Sequence, residues 1–201
     1  MTTGTEAAVP GNRSMRIMLL GAPGSGKGTQ GQRLATHFGV PHLASGDLLR
    51  AEVRAATDLG RRVAGYLDSG RLVPDELISD LMLPAALAAA AAGGYILDGF
   101  PRSAAQAERA DALLDRSGAG LRHVLFLAVA ADELLDRLLR RAATSGRTDD
   151  TAEVIADRLR VFEDETRPLI EHYRGLGVLR EVAADQPVDR VTEAILAALE
   201  G

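Results

Sequence analysis

The chain has 201 residues, 46% of them hydrophobic but only 3% aromatic, so one domain is expected, packed mainly by alanine, leucine and valine. Its net charge of −5 argues against a general nucleic-acid binder, and the absence of cysteine excludes disulfides and thiolate metal sites. No run of about 18 apolar residues suggests a membrane span and no signal-peptide core is visible, so a cytoplasmic protein without a membrane partner is expected.

Residues 1–14 are small, polar and aperiodic and read as a disordered leader without function. Residues 15–20 (MRIMLL) read as a buried strand. Gly21-Ala22-Pro23-Gly24-Ser25-Gly26-Lys27-Gly28-Thr29 follows, and then a helix over 26–38 that Gly39 closes. Strand, glycine-rich loop and helix together make an anion cradle. The glycines let successive N–H groups turn inward, and the helix N-terminus adds partial positive charge. Lys27 is the only lysine among 23 basic residues. A compact ammonium fits such a loop, whereas a planar guanidinium does not.

Val40–Leu43 reads as a short second strand. Ser45 or Asp47 is placed to cap a helix to about residue 57, and Thr57 or Asp58 to cap another to about 69. After the loop 70–74, Asp75 starts a helix that Pro84 should break or kink; the alanine-rich run 85–92 resumes it and Gly93-Gly94 end it. Tyr95-Ile96-Leu97 is the third strand and runs into Asp98-Gly99-Phe100-Pro101-Arg102. Ser103 caps a helix to about 116, 123–129 is a fourth strand, and 131–142 is a helix. A polar loop over 143–151 precedes one long helix over 152–174 with Pro168 near a bend, a fifth strand over 178–182 and a last helix over 188–199. Strands alternating with helices imply an α/β fold, a parallel sheet flanked by helices on both faces. Ligands then gather at the carboxyl ends of the strands. The segments after the first three strands, GAPGSGKGT, ASGDLLR and DGFPR, should face one another across a single crevice.

Taken together, GAPGSGKGT (21–29), SGDLLR (45–50), LDGFPR (97–102) with Gln106, DRLLRR (136–141) and SGRTDD (145–150) with Arg158 resemble the adenylate kinases of the nucleoside monophosphate kinase family. The resemblance spans about residues 15–200. It implies a five-stranded parallel sheet of the P-loop kinase fold in a single domain over 15–201. Two small parts would move: a helical segment that binds the monophosphate (about 44–73) and a lid (about 140–151) of the short kind. Long lids sometimes carry four zinc ligands, and this chain has neither the insert nor the cysteines, so no zinc is expected.

The implied activity is reversible phosphoryl transfer from MgATP to AMP, in a monomer. The acceptor is already a deprotonated phosphate, so no general base is needed. Accordingly His37, His42, His123 and His172 read as structural or solvent-facing. The resemblance puts ATP on Gly24, Ser25, Gly26, Lys27, Gly28, Thr29, Arg137, Arg141 and the backbone of Gln186. It puts AMP on Ser45, Arg50, Arg71, Leu72, Val73, Gly99, Phe100, Pro101, Arg102, Gln106, Arg147 and Arg158. Lys27, Arg102, Arg137, Arg141, Arg147 and Arg158 form the implied catalytic set; of Arg140 and Arg141 at most one should point inward. Gly28 stands where many such loops carry a hydroxyl for Mg²⁺, so the metal should be held by nucleotide, water and, through water, Asp98. Asp149 and Asp150 could pair with Arg147 in the lid. Gln106, one helical turn past Arg102, is placed to read the adenine edge. Ser45 keeps the hydroxyl of AMP-selective relatives, whereas UMP/CMP-selective ones carry alanine. The alternatives are a UMP/CMP kinase, a nucleotide-binding regulatory module without turnover, or a P-loop kinase for a small metabolite.

Overall fold

The computed structural model describes residues 15–144 and 151–200. Its centre is a five-stranded, all-parallel sheet: β1 (Met15–Leu20), β2 (His42–Ala44), β3 (Gly94–Asp98), β4 (His123–Ala128) and β5 (Leu179–Ala183), in the order β2-β3-β1-β4-β5. Alternation along β1 divides the core. Met18 and Leu20 point to one face with Tyr95, Leu97 and Val124. Ile17 and Leu19 point to the other with Ile96, Leu125, Leu127 and Val182. A strand buried on both faces needs apolar residues at both parities, as MRIMLL supplies.

Helices α1 (Lys27–Phe38) and α9 (Val188–Glu200) cover the second face. The first is covered by α4 (Asp75–Ala91), α5 (Ala104–Arg116) and α8 (Leu169–Gly175), with α2 (Ser45–Arg54) and α3 (Asp58–Asp68) at its edge. Helix α6 (Ala131–Thr144) precedes α7 (Ala152–Val161) in the chain. The register pairs Asp98 with both Leu19 and Ala44, and Ala128 with Ala183, so the strands end along one edge. The chain leaves that edge in the loops that build the site.

The structure revises four local readings. Helix α4 runs unbroken through Pro84. Pro84 and Asp80 are exposed, so the carbonyl that loses its N–H partner faces water. The helix expected over 152–174 is divided: α7 passes into a π-helical turn, Phe162–Thr166, and α8 starts beyond Pro168. Ser45 does not cap α2; it is the first helical residue, and its hydroxyl donates to the carbonyl of Gly99 at 2.7 Å. Arg102 lies outside α5, because Ser103 is the N-cap, so Arg102 and Gln106 do not share a helix face. Thr57 and Ser103 cap as expected, accepting from the N–H groups of Gly60 and Gln106. Arg147, Asp149 and Asp150 lie outside the described residues.

Candidate active site

A cleft of about 880 Å³ opens along the carboxyl edge of the sheet. The loops after β1, β2 and β3 all line it, joined by α6, by α7 with its π turn, and by the segment 184–188. The glycine-rich loop forms its floor. Gly26, with φ +94°, is the N-cap of α1, a left-handed conformation that side chains disfavour. The first turn of α1 carries no acidic residue of its own, which leaves its positive end free to favour an anion. Lys27 folds back over the loop, its Nζ donating to the carbonyls of Gly21 (2.7 Å) and Ala22 (2.9 Å). Burial in the cleft lowers its pKa to about 8; Asp98 opposes that, and Arg102 and Arg141 add to it. A phosphate placed among these cations would relieve their repulsion.

Asp98 ends β3 opposite the loop. Burial raises its pKa, but contact with His42 and the charges of Lys27 and Arg102 prevail and hold the carboxyl below its usual range. At 3.5 Å, His42 Nε2 is a long partner for Asp98 Oδ2 and makes no firm hydrogen bond; the atom is otherwise buried without one. Gly28 passes close by: a Cβ there would sit 3.9 Å from Asp98 Oδ2. An ionised carboxylate beside the phosphate loop, with a bare backbone next to it, fits a hydrated Mg²⁺ carried by nucleotide phosphates. Among the described residues no group of three or more His, Asp or Glu could cage a metal by itself.

Arginines converge from several elements. Arg102 reaches water through the open cleft yet has protein walls around it; confinement lowers its pKa, Asp98 raises it, and Arg158 and Arg50 lower it further. Its Nε donates to the Gly99 carbonyl at 2.7 Å. Arg50, on α2, pairs with Asp47 at 2.6 Å. Arg137, on α6, is held by Glu133 at 2.7 Å and donates to the Ala184 carbonyl at 2.9 Å. Arg141 is half-buried, whereas Arg140 is exposed and lies 3.8 Å from Glu133; both border the cleft. Arg158 reaches the cleft from α7.

Ser45, Arg71, Leu72, Val73, Gly99, Pro101 and Gln106 also line the cleft. So do Gly24, Ser25, Thr29 and, beyond β5, Gln186. Phe100 does not; its ring is buried in the core, where an apolar ring escapes water. Gln106 is almost fully buried with both ends of its amide engaged. Its Oε1 accepts from the Arg102 N–H at 2.8 Å, and its Nε2 donates to Asp75 Oδ1 at 2.7 Å. A carboxylate can only accept, so Asp75 fixes which end of the amide faces it.

Sequence reasoning missed three participants. Asp75 braces Gln106 across 31 residues, His42 approaches Asp98, and Thr166 donates to the Arg102 carbonyl at 2.8 Å across 64 residues. None lies in a recognisable motif. The available signals were weak: Asp75 opens a helix, and His42 immediately precedes the second binding segment.

Residues 19–178 match the family model described as Adenylate kinase. The chain is 43% identical over 185 residues to an adenylate kinase of Kocuria rhizophila, covering 92% of this chain and 98% of that protein. It is 45% identical over 186 residues to one of a Synechococcus species, covering 92% and 99%. It is 42% identical over 187 residues to one of Stenotrophomonas maltophilia, covering 93% and 100%.

Proposed function

We infer the chemistry from one premise: this chain belongs to the adenylate kinase family. It is an enzyme that transfers the terminal phosphoryl group of ATP reversibly to AMP, giving two ADP. The observation that carries our assignment of roles is the convergence of Lys27, Arg102, Arg137, Arg141 and Arg158 on one cleft, with the ionised carboxylate of Asp98 beside the phosphate loop.

Phosphoryl transfer passes through a loose transition state with charge on the non-bridging oxygens, so catalysis is positioning and electrostatic stabilisation. Lys27 and the N–H groups of 24–29 take the ATP phosphates, with Arg137 and Arg141 beside them. Arg102 and Arg50 take the AMP phosphate. Arg158 and, from the family pattern, Arg147 are assigned to the phosphoryl group in transfer. Guanidiniums suit this because their forks pair two oxygens at once. Asp98 would hold, through water, the Mg²⁺ that ATP carries, and that ion would supply charge neutralisation at the phosphates. Ser45, Arg71, Leu72, Val73, the backbone of 99–101 and Gln106 form the AMP side. Gln186 lies at the ATP adenine.

The helical segment over 44–73 and the lid over 140–151 close over AMP and ATP and exclude water, which suppresses hydrolysis. The enzyme works as a cytoplasmic monomer without zinc and with no nucleic-acid or membrane partner. A net charge of −5 speaks against a nucleic-acid partner, and a sequence without cysteine offers no thiolate site for zinc. A regulatory module without turnover would not require arginines on both sides of the transferred group. A small-metabolite kinase would leave the Arg102–Gln106–Asp75 cluster without a task.

Replacing Arg102 tests the role assignment. Arg102→Ala removes a preorganised donor and should lower kcat/KM for AMP by about 100- to 1,000-fold, roughly 3–4 kcal/mol of transition-state stabilisation. Steady-state kinetics at saturating MgATP measures this, and an unchanged kcat/KM would overturn the assignment.

A further inference from the structure

Thr166 stands in the cleft wall among cations, 6% exposed, in the π-helical turn after α7. A helical threonine commonly turns its hydroxyl to the carbonyl one turn earlier. Thr36 does so to Gln32, at 2.9 Å, and Thr192 to Val188, at 3.0 Å. Thr166 instead donates across the cleft wall to the backbone carbonyl of Arg102, at 2.8 Å. The wider π turn changes the helical phase, and such turns often occur where a side chain must be aimed.

The same turn is anchored on the other side. Phe162, its first residue, packs with Ala22 of the phosphate loop and Leu134 of α6. Arg158 lies one helical turn before it, on α7. Arg102 is meanwhile held by its own neighbours, its N–H by Gln106 and its Nε by Gly99. Thr166 supplies a tie from the π turn that continues the helix carrying Arg158. Two guanidiniums that repel each other need such a tie if they are to meet on one anion.

We propose that Thr166 is a positioning residue for acceptor-phosphate recognition: its hydroxyl sets the backbone of Arg102 relative to the helix that carries Arg158, so that both guanidiniums converge on one phosphate. This rests on the reading of Arg102 as an acceptor-phosphate ligand. Thr166→Val keeps the shape and removes the donor; Thr166→Ser keeps the donor and removes a methyl.

The experiment measures kcat, KM for AMP and KM for MgATP in the full chain for both variants and for Arg102→Ala, together with AMP affinity by calorimetry and the thermal midpoint. T166V should lower kcat/KM for AMP about tenfold, the loss of one net hydrogen bond. It should weaken AMP binding while leaving KM for MgATP within about twofold, and T166S should restore the acceptor constants to within about twofold of the parent. Equal losses for both substrates, or equal damage from T166S and T166V, would overturn the proposal. If T166V folds poorly, Thr166→Ala against Thr166→Ser carries the same contrast. An unaffected R102A would overturn the reading of Arg102 and this proposal with it. An impaired R102A beside an unimpaired T166V would overturn only the role of Thr166.

Discussion

Lys27 is the residue on which the site's electrostatics turn. Burial of its ammonium, opposed by Asp98 and aided by Arg102 and Arg141, lowers its pKa to about 8. A nucleotide phosphate favours the charged form, so the pKa rises on binding and a proton is taken up between about pH 8 and 10. Calorimetric titration of MgATP at pH 8.5 in two buffers of different ionisation enthalpy should therefore give different apparent enthalpies. The difference should vanish in Lys27→Met; identical enthalpies for the parent protein would contradict the account. The sign for folding is separate. Between about pH 8 and 10.5 the unfolded chain binds the proton more tightly, so this residue makes the nucleotide-free protein gain stability as pH rises through that window. Much at this scale was legible in the sequence, because a lone lysine in a glycine-rich loop has few other tasks. Gln106 was half legible. Its place in the cleft followed from the motif, but its clamp on Asp75 and on the Arg102 backbone joins positions that local spacing does not relate.

Among the elements, the pair α2 and α3 shows how one small residue permits a close approach. A Cβ on Gly60 would fall 2.1 Å from the Glu52 carbonyl oxygen, a backbone atom that cannot move aside cheaply. Gly65, in the same helix, is exposed with nothing within 4 Å of a Cβ. Gly60→Ala should destabilise by about 1–3 kcal/mol through overpacking. Gly65→Ala should stabilise by up to about 1 kcal/mol through helix propensity. Thermal unfolding checks both: midpoints should move in opposite directions, by about 2–4 °C per kcal/mol for a chain of this size. If both fell together, close packing of α2 on α3 would not be the cause. Caps and strands were readable because Thr57, Ser103 and the apolar runs act locally. The π turn was not, since FEDET carries no local mark of an extra residue per turn; what distinguishes it is the docking of Phe162 and Thr166 at its two ends. Pro84 misled for a related reason: its cost depends on whether water reaches the Asp80 carbonyl, and exposure belongs to the tertiary fold.

The whole molecule places all these parts by sheet order. With β1 central and β3 and β4 beside it, the phosphate loop, the Ser45 segment and the Arg102 loop must leave the same edge and share one cleft. That arrangement was legible in the sequence, because alternating strands and helices imply parallel strands with their carboxyl ends together. The approach of the π turn to the Arg102 loop was not, since the contact joins residues 64 positions apart. The central claim is that this cleft holds two nucleotides and passes a phosphoryl group from ATP to AMP. The most direct test is kcat/KM for AMP, CMP, UMP and GMP as acceptors with saturating MgATP, read as nucleoside diphosphate formed. The account predicts sustained turnover with AMP as the best acceptor by kcat/KM. A higher kcat/KM for CMP or UMP, or no turnover with any acceptor, would contradict it.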